Sequence, residues 1–268
     1  MYVLDKTALN SLMEEVISCG LLAKAKQADV HRSYKSDGSV LTETDLEISR
    51  RISDKVHELF PECAFISEEA ECEIRESTPY IFILDPIDGT DVYSQGLPSF
   101  AVALGILDSN RRPVGAMIYI PRFGKAREDM SVRLDPGEKL LVDGVPFERK
   151  GDKDDVKQVT MGSGGQVKMD FTLYEGKVRT FGSSIIHLLA PVVFDAIEGC
   201  VNQPCFVWDV AASHAVLLSQ GMDIEYTDGD AFEYTDDFLW HKKKFRKDIY
   251  AGTPEGIRCM RRILPVRS

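Results

Sequence analysis

The hydrophobic positions of this chain recur with two spacings, one typical of helices and one typical of buried strands. Near the amino terminus, apolar residues return every three or four positions and predict an amphipathic helix from about Thr7 to Lys26. The same spacing predicts a second helix, which Pro61 ends, and Thr253 followed by Pro254 predicts the start of a last one. The predicted helices cover residues 7–26, 46–59, 184–197 and 209–218, with the last beginning at residue 253.

Continuous apolar runs predict buried strands. The clearest run, residues 80–84, contains β-branched and aromatic side chains and shows no polar alternation. Strands and helices are mixed along the chain, which favours layered sheets with helices between them, of the α+β or α/β class. The predicted strands cover residues 63–66, 80–84, 100–107, 114–120, 156–161, 222–226 and 249–251.

The charge of the chain limits its partners. Its 43 acidic and 32 basic residues give a formal net charge of −11, which argues against nucleic acid or an anionic membrane as partner. No apolar run approaches the roughly 20 residues that cross a bilayer, and charged residues interrupt the amino terminus, so neither a membrane span nor a secretion signal is predicted. The six cysteines form no CxxC pair, and reduced thiols in the cytoplasm are expected.

The strand at residues 80–84 runs directly into the string DPIDGT at residues 85–90. Asp85 and Asp88 offer hard oxygen ligands, Gly89 permits a tight turn, and Thr90 stands where a helix could begin. Carboxylates followed by backbone amide donors suit Mg²⁺ held against a phosphate. The alternative is an ordinary turn, since Asp, Pro and Gly are all turn formers.

Other acidic residues stand at similar places. Asp45 lies at the start of the second predicted helix, Glu68 and Glu69 follow a predicted strand, and Asp209 follows Trp208 and opens a helix. Each alone could be a helix-start or surface charge. Together they stand at strand ends and helix starts, where sites gather in layered α/β proteins.

Five segments, in this order, resemble motifs of the inositol monophosphatase family, which comprises Mg²⁺-dependent, lithium-sensitive phosphatases. The resemblance runs from about residue 35 to residue 215 and implies a layered αβαβα sandwich, commonly dimeric. The segments are LTETD at 41–45, SEE at 67–69, DPIDGT at 85–90, RTFGSS at 179–184 and WDVAA at 208–212.

The resemblance implies two or three Mg²⁺ ions. Glu68, Asp85 and the backbone carbonyl of Ile87 would hold the first ion, while Asp85, Asp88 and Asp209 would hold the second. A third, weaker ion would share Glu68. Two such ions can clamp the attacking and leaving oxygens of a phosphoryl transfer and lower the pKa of a water.

The catalytic residues implied by the resemblance are Thr90, Asp45 and Glu68. Thr90, polarised by Asp45, would orient the metal-activated water for direct attack on phosphorus. The phosphate and substrate contacts would come from Asp88, Gly89, Thr90, Gly182, Ser183, Ser184 and Asn202.

The length of 268 residues suits one large domain or two subdomains that share a core, and the polar tract at 150–155 is the predicted boundary. Residues 1–150 would form an amino-terminal α+β subdomain with most of the metal ligands. Residues 151–268 would form a carboxy-terminal α/β subdomain that supplies Asp209 and substrate contacts.

The expected function is a cytoplasmic, homodimeric, Mg²⁺-dependent phosphomonoesterase acting on a small polyol, inositol or sugar phosphate. SEE and GSS look closer to the 3′(2′),5′-bisphosphate nucleotidases, and Asn202 stands where inositol enzymes carry Glu, so a nucleotidase is the first alternative. A catalytically silent regulator that binds phosphate or metal is the second. The basic run at residues 241–247 is either a solvated loop or an attraction for a second phosphate.

Overall fold

The computed structural model describes residues 2–36, 38–71, 74–75, 77–124, 128–150 and 156–267. The long helix predicted near the amino terminus and the second helix, predicted to end before Pro61, are both present. Thr253 caps the last helix. Within the described residues, the helices are α1 (Lys6–Lys26), α2 (Glu43–Leu59), α3 (Thr90–Ser94), α4 (Gly165–Lys168), α5 (Ser184–Val193), α6 (Ala211–Ser219), α7 (Asp236–Leu239) and α8 (Pro254–Ile263).

The strands form two large sheets and one small hairpin. The first sheet has the order β3-β4-β5-β6-β7-β8-β9, the second has the order β11-β10-β12-β14-β13, and β1 pairs with β2. The strands are β1 (Ser33–Tyr34), β2 (Val40–Leu41), β3 (Ala64–Ser67), β4 (Tyr80–Asp88), β5 (Ala101–Asp108), β6 (Pro113–Ile120), β7 (Met130–Leu134), β8 (Leu141–Val142), β9 (Val145–Pro146), β10 (Gln158–Met161), β11 (Lys177–Arg179), β12 (Gly199–Asn202), β13 (Asp223–Tyr226) and β14 (Ile249–Gly252).

Each sheet buries both faces against helices. On the first sheet, Phe82 and Leu84 of β4 pack in the cluster formed with α1 and α2, whereas Ile81 and Ile83 face the cluster formed with α5 and α6. On the second sheet, β12 and β14 send alternate side chains toward α5 and toward α8. The layers are therefore helix, sheet, helix, sheet, helix, which confirms the predicted αβαβα sandwich.

The region around α5 and α6 differs from the sequence-based prediction. The helix predicted over 184–197 ends at Val193, and Phe194 has an extended backbone. The chain then enters β12, which the prediction missed although it lies at the centre of the second sheet. The helix predicted from Asp209 begins at Ala211.

The predicted domain boundary falls on residues 151–155, which lie outside the described residues. Strands β3–β9 precede this tract and β10–β14 follow it, but the division into 1–150 and 151–268 stays a prediction. Among the residues that the structure covers, no helix is long and apolar enough to cross a membrane. The five cysteines described are free thiols, and Cys72 lies outside the described residues.

Gly105 permits the close packing of α6 on the first sheet. A Cβ atom at this position of β5 would lie 2.7 Å from the Ala212 amide nitrogen and 2.8 Å from the Ala211 carbonyl carbon. We expect Gly105→Ala to lower the free energy of unfolding by about 1–3 kcal/mol, because the backbone of α6 must move away. Urea unfolding measures this, and Ser109→Ala in the exposed turn after β5 should change stability by less than about 0.5 kcal/mol. Equal stabilities of the two variants would contradict the packing argument.

Candidate metal-dependent active site

A cleft of about 550 Å³ lies between residues 34–91 and residues 162–209, which we call the first and second halves of the site. The first half contributes the end of β4 and the start of α3. The second half contributes the turns that precede α5 and α6. The lining includes Glu68, Asp88 and Thr90 on one side and Ser183, Asn202 and Asp209 on the other.

An irregularity in β4 brings two carboxylates to the same place. In a regular strand, residues three apart point to opposite faces. The register shifts between Asp85, which pairs with Ala103, and Asp88, which pairs with Ala101, so β4 carries one extra residue there. Pro86, which has no amide hydrogen for the ladder, lies inside this bulge. The bulge therefore allows both aspartates to reach one site.

Three carboxylates converge at this point. Asp85, Asp88 and Asp209 each place one oxygen within 4.8 Å of the others. Asp209 lies just before α6 and accepts a hydrogen bond from the Phe206 amide at 2.7 Å, which fixes the turn. The convergence on which the predicted magnesium site depends is thus present in the structure.

Burial and mutual repulsion disfavour negative charge on this triad. Burial raises the pKa of Asp85 well above its usual range, and the charges of Glu68 and Asp88 raise it further. Burial also raises the pKa of Asp209 well above its usual range, again with help from Asp88 and Glu68. Either protons or a cation must compensate for these buried carboxylates.

The donor set fits a divalent cation of the magnesium type. Oδ1 of Asp85 is buried and has no hydrogen-bond partner among the described residues, so one oxygen is left for another ligand. The triad offers only carboxylate oxygens, which are the ligands that Mg²⁺ prefers.

Asp88 is held by the start of α5. Its carboxylate accepts hydrogen bonds from the Ser183 hydroxyl, from the Ile185 amide at 2.8 Å and from the Ser184 amide at 3.2 Å. Burial raises the pKa of Asp88 to about 6, against the lowering effect of these donors. Gly182, Ser183 and Ser184, predicted as substrate contacts, do line the cleft, and two of them orient Asp88.

The predicted pair of Thr90 and Asp45 is also in place. The Thr90 hydroxyl lies 3.2 Å from Oδ1 of Asp45 and 2.8 Å from the Ile87 carbonyl oxygen. Asp45 is fully buried in a capping box with Thr42 at the start of α2, and burial raises its pKa to about 7. The side chain of Ile87 is buried in the core, so its carbonyl is the group available to the site.

Glu68 stands apart from the triad. It lines the cleft, but its carboxylate pairs with Lys35 at 2.5 Å, and the same ammonium contacts Glu69 at 2.5 Å. Burial raises the pKa of Glu68, whereas Lys35 lowers it. Lys35 comes from the turn between β1 and β2, and nothing in its local sequence marked it as a partner of the acidic site.

His187 is a second residue that the sequence did not single out. Burial lowers its pKa to about 4, so the ring is neutral at pH 7, and Nε2 accepts a hydrogen bond from the Phe181 amide at 2.8 Å. This bond supports the chain next to Gly182. Asn202, predicted from the resemblance, lines the cleft and is 3% exposed, with Nδ2 donating to the Cys205 sulfur at 3.8 Å.

The fold and the site together define a layered αβαβα protein in which three carboxylates that could hold a metal ion converge. The model of the inositol monophosphatase family matches residues 6–244. The chain is 26% identical over 212 residues to the fructose-1,6-bisphosphatase/inositol-1-monophosphatase of Aquifex aeolicus, covering 74% of this chain and 75% of that protein. The chain therefore belongs to the inositol monophosphatase family, and the family supports phosphatase activity.

Two further likenesses agree with this membership. The chain is 30% identical over 160 residues to the 3′(2′),5′-bisphosphate nucleotidase CysQ of Haemophilus influenzae, covering 56% of this chain and 59% of that protein. The crystal structure of the extragenic suppressor protein suhB from Bartonella henselae superimposes with a TM-score of 0.78 at 20% identity, covering 96% of this chain and 98% of that one. The structural likeness supports the fold.

Without metal, the buried carboxylates should make the protein less stable as pH rises from about 4 to about 7. Asp45 has a pKa near 7 in the folded state against 3.8 in the reference state, so the folded protein holds a proton that the unfolded chain releases. This contribution to stability is complete below the unfolded pKa and is lost as pH rises through the folded pKa. For Asp45 it amounts to roughly 4 kcal/mol.

Urea unfolding in EDTA across this pH range measures the effect. Asp45→Asn is the matched control, because its amide does not titrate, and its stability should change less with pH than that of the wild type. Identical pH profiles for the two proteins would contradict the raised pKa. If Mg²⁺ occupies the triad, added Mg²⁺ should oppose the loss at pH 7, because it would bind the folded state in place of protons.

Proposed function

We propose that this protein is a Mg²⁺-dependent phosphomonoesterase that hydrolyses a small polyol, inositol or sugar phosphate. The observation that carries the proposal is the triad of two buried aspartates and the partly buried Asp209, with an Asp85 oxygen that has no partner among the described residues, next to a Thr90 hydroxyl bonded to Asp45. Membership of a phosphatase family supports the class of reaction.

Asp85, Asp88 and Asp209 would hold Mg²⁺, and the Ile87 carbonyl and Glu68 would add ligands. Two or three ions are expected from the family resemblance. When bound, Mg²⁺ would neutralise the phosphate charge and lower the pKa of the attacking water. Lys35 must leave the Glu68 oxygen that it contacts if that oxygen is to become a ligand.

Thr90 and Asp45 would orient the attacking water. The Thr90 hydroxyl donates one hydrogen, toward Asp45 or the Ile87 carbonyl, and leaves its oxygen free to accept a hydrogen from water. Asp45, with a pKa of about 7, is able to change protonation near neutral pH, which suits a group that assists proton movement. A silent phosphate-binding regulator would have no need of this pair, so the enzyme is favoured over the regulator.

The backbone between β4 and α3 would bind the phosphate. Gly89 has a φ of +87°, and a side chain there would meet the Gly182 carbonyl oxygen at 3.0 Å, so the two loops meet across the cleft. The amides of Gly89 and Thr90 would donate to phosphate oxygens from one side. Ser183 and Ser184 stand on the other side.

The leaving group would be uncharged and rich in hydroxyls. Beyond the triad, the cleft is lined by polar or acidic side chains such as Ser163, Asn202, Gln203 and Asp91, and by no described lysine or arginine. A second phosphate, as in a 3′,5′-bisphosphate nucleotide, would find no cationic partner among these side chains. The cleft therefore favours a polyol, inositol or sugar monophosphate over the nucleotidase alternative.

Most of the basic run at 241–247 is paired at the surface. Lys243 contacts Asp237 at 2.9 Å, Arg246 contacts Asp228 at 2.9 Å, and Lys247 contacts the same carboxylate at 2.5 Å. None of these cations lines the cleft. The contacts of these three residues give no support to their recruiting a second phosphate. The cytoplasmic location, the homodimer and inhibition by lithium stay predictions.

Phosphate release from inositol 1-phosphate, with and without Mg²⁺, tests the proposed function. Asp85→Asn should lower kcat by a factor on the order of 10³ or more while the protein stays folded, because it removes a ligand charge at the centre of the triad without changing volume. Asp236→Asn, at an exposed position of α7, is the control and should keep wild-type kcat. Hydrolysis that needs no divalent cation, or an Asp85→Asn variant with near wild-type kcat, would contradict the metal assignment.

A substrate comparison tests the chemistry of the cleft. At matched ionic strength, kcat/KM for inositol 1-phosphate should exceed that for adenosine 3′,5′-bisphosphate by at least about tenfold, or roughly 1.4 kcal/mol in transition-state binding. The reason is that no described lysine or arginine is among the side chains that line the cleft. A preference for the bisphosphate, weakening as salt rises, would instead favour the nucleotidase.

A further inference from the structure

Lys242 differs from its neighbours in the basic run because its side chain turns into the molecule. It is half-buried, whereas His241, Lys243 and Lys244 are exposed. Its ammonium donates to the backbone carbonyls of Ser67 at 2.9 Å, Glu68 at 3.3 Å and Ala70 at 2.5 Å. An ammonium donates hydrogens in several directions, and each of these carbonyl oxygens is an acceptor.

The contacted segment is the loop that carries Glu68. This loop follows β3, whose last residue, Ser67, pairs with Leu84 of β4. The Glu68 amide makes a long bond of 3.3 Å to the Leu84 carbonyl. The lysine thus supplies partners to three carbonyls of the segment that presents a predicted metal ligand.

Lys242 also faces the second half of the site. Its Nζ lies 5.4 Å from the ring centroid of Trp208, within the range of a cation–π contact. Trp208 is buried, stacks on Phe206 and directly precedes Asp209. One side chain therefore contacts the loop of Glu68 and the neighbour of Asp209, which belong to opposite halves of the site.

The backbone of Lys242 is in an unfavourable conformation. Its φ is +49°, in the left-handed region that residues with a Cβ rarely adopt. Such conformations persist when surrounding contacts hold them and are concentrated at functional sites. Lys242 lies in the turn that ends α7, where the His241 amide donates to the Asp236 carbonyl at 3.2 Å and the Lys243 amide donates to the Asp237 carbonyl at 3.0 Å.

We propose that Lys242 is a positioning residue for the metal site. It holds the loop of Glu68 at a fixed position relative to Asp209. This inference rests on the proposed function, because it concerns the same metal site. Lys242 contacts the backbone rather than any carboxylate of the triad, and it acts through Glu68. A ligand that is held in place before the metal arrives loses less freedom on binding, so the affinity for the metal rises.

The charge of Lys242 and its positioning role predict opposite effects of its removal on Mg²⁺ affinity. The direction of the measured change therefore distinguishes the two explanations. A cation near the site repels Mg²⁺, so removing the ammonium should tighten Mg²⁺ binding if charge were its only influence. Removing a positioning contact should weaken binding instead. Partners that orient metal ligands typically change metal affinity by 10- to 100-fold.

Calorimetric titration of Mg²⁺ into the metal-free full chain, without substrate, measures this directly. We expect Lys242→Met, which keeps the apolar stem, to raise the Mg²⁺ dissociation constant at least about tenfold. Lys242→Arg should recover most of the affinity, because it restores donors and charge. Lys243→Met is the matched control, since Lys243 is exposed and pairs with Asp237, and it should bind Mg²⁺ as the wild type does.

Urea unfolding checks that Lys242→Met is folded, and if it is not, Lys242→Gln takes its place. Unchanged or tighter Mg²⁺ binding in the Lys242 variant, with normal binding in the wild type, would overturn the positioning role and leave the proposed function intact. A loss of the same size in Lys243→Met would also overturn it. A wild-type protein that binds no Mg²⁺ would overturn the proposed function and this inference with it.

Discussion

Buried like charge is the constraint around which this structure is organised. Asp85, Asp88 and Asp209 bring carboxylate oxygens within 4.8 Å of one another in the interior, where burial and repulsion disfavour ionisation. Asp88 receives three donors from the start of α5, but one oxygen of Asp85 receives none among the described residues. A divalent cation could compensate for all three carboxylates at once, which is the basis of the proposed metal site.

The layered architecture supplies the groups that meet this constraint. The bulge in β4 contributes two aspartates, and the turn before α6 contributes the third from the other half of the chain. The α5–α6 layer lies between the two sheets, so the spacing of the triad depends on how closely α6 packs on β5. Gly105 sets that distance, and Lys242 spans the same junction from the surface. The packing of α6 on β5 therefore affects both the stability of the fold and the spacing of the three carboxylates.

The parts of the fold that local pattern could reveal were predicted well. Helices α1 and α2 and strand β4 have long periodic or continuous apolar segments and local end signals, so their residues identify them. Strands β8, β9 and β11 were missed because two or three residues carry too little pattern, and the longer strands β7 and β12 were missed as well. Their conformation is set by the neighbouring strand with which they pair.

The amino-acid sequence by itself determined the kind of chemistry: acidic residues at strand ends and helix starts, an Asp-rich turn with a glycine, and the order of motifs. Only the tertiary structure decided which oxygens meet, that Ser183 and Ser184 hold Asp88, that Lys35 holds Glu68, and that no described cation lines the cleft. The physical reason is distance along the chain. Residues such as Asp88 and Ser183 become neighbours through the packing of whole layers, which no local propensity encodes.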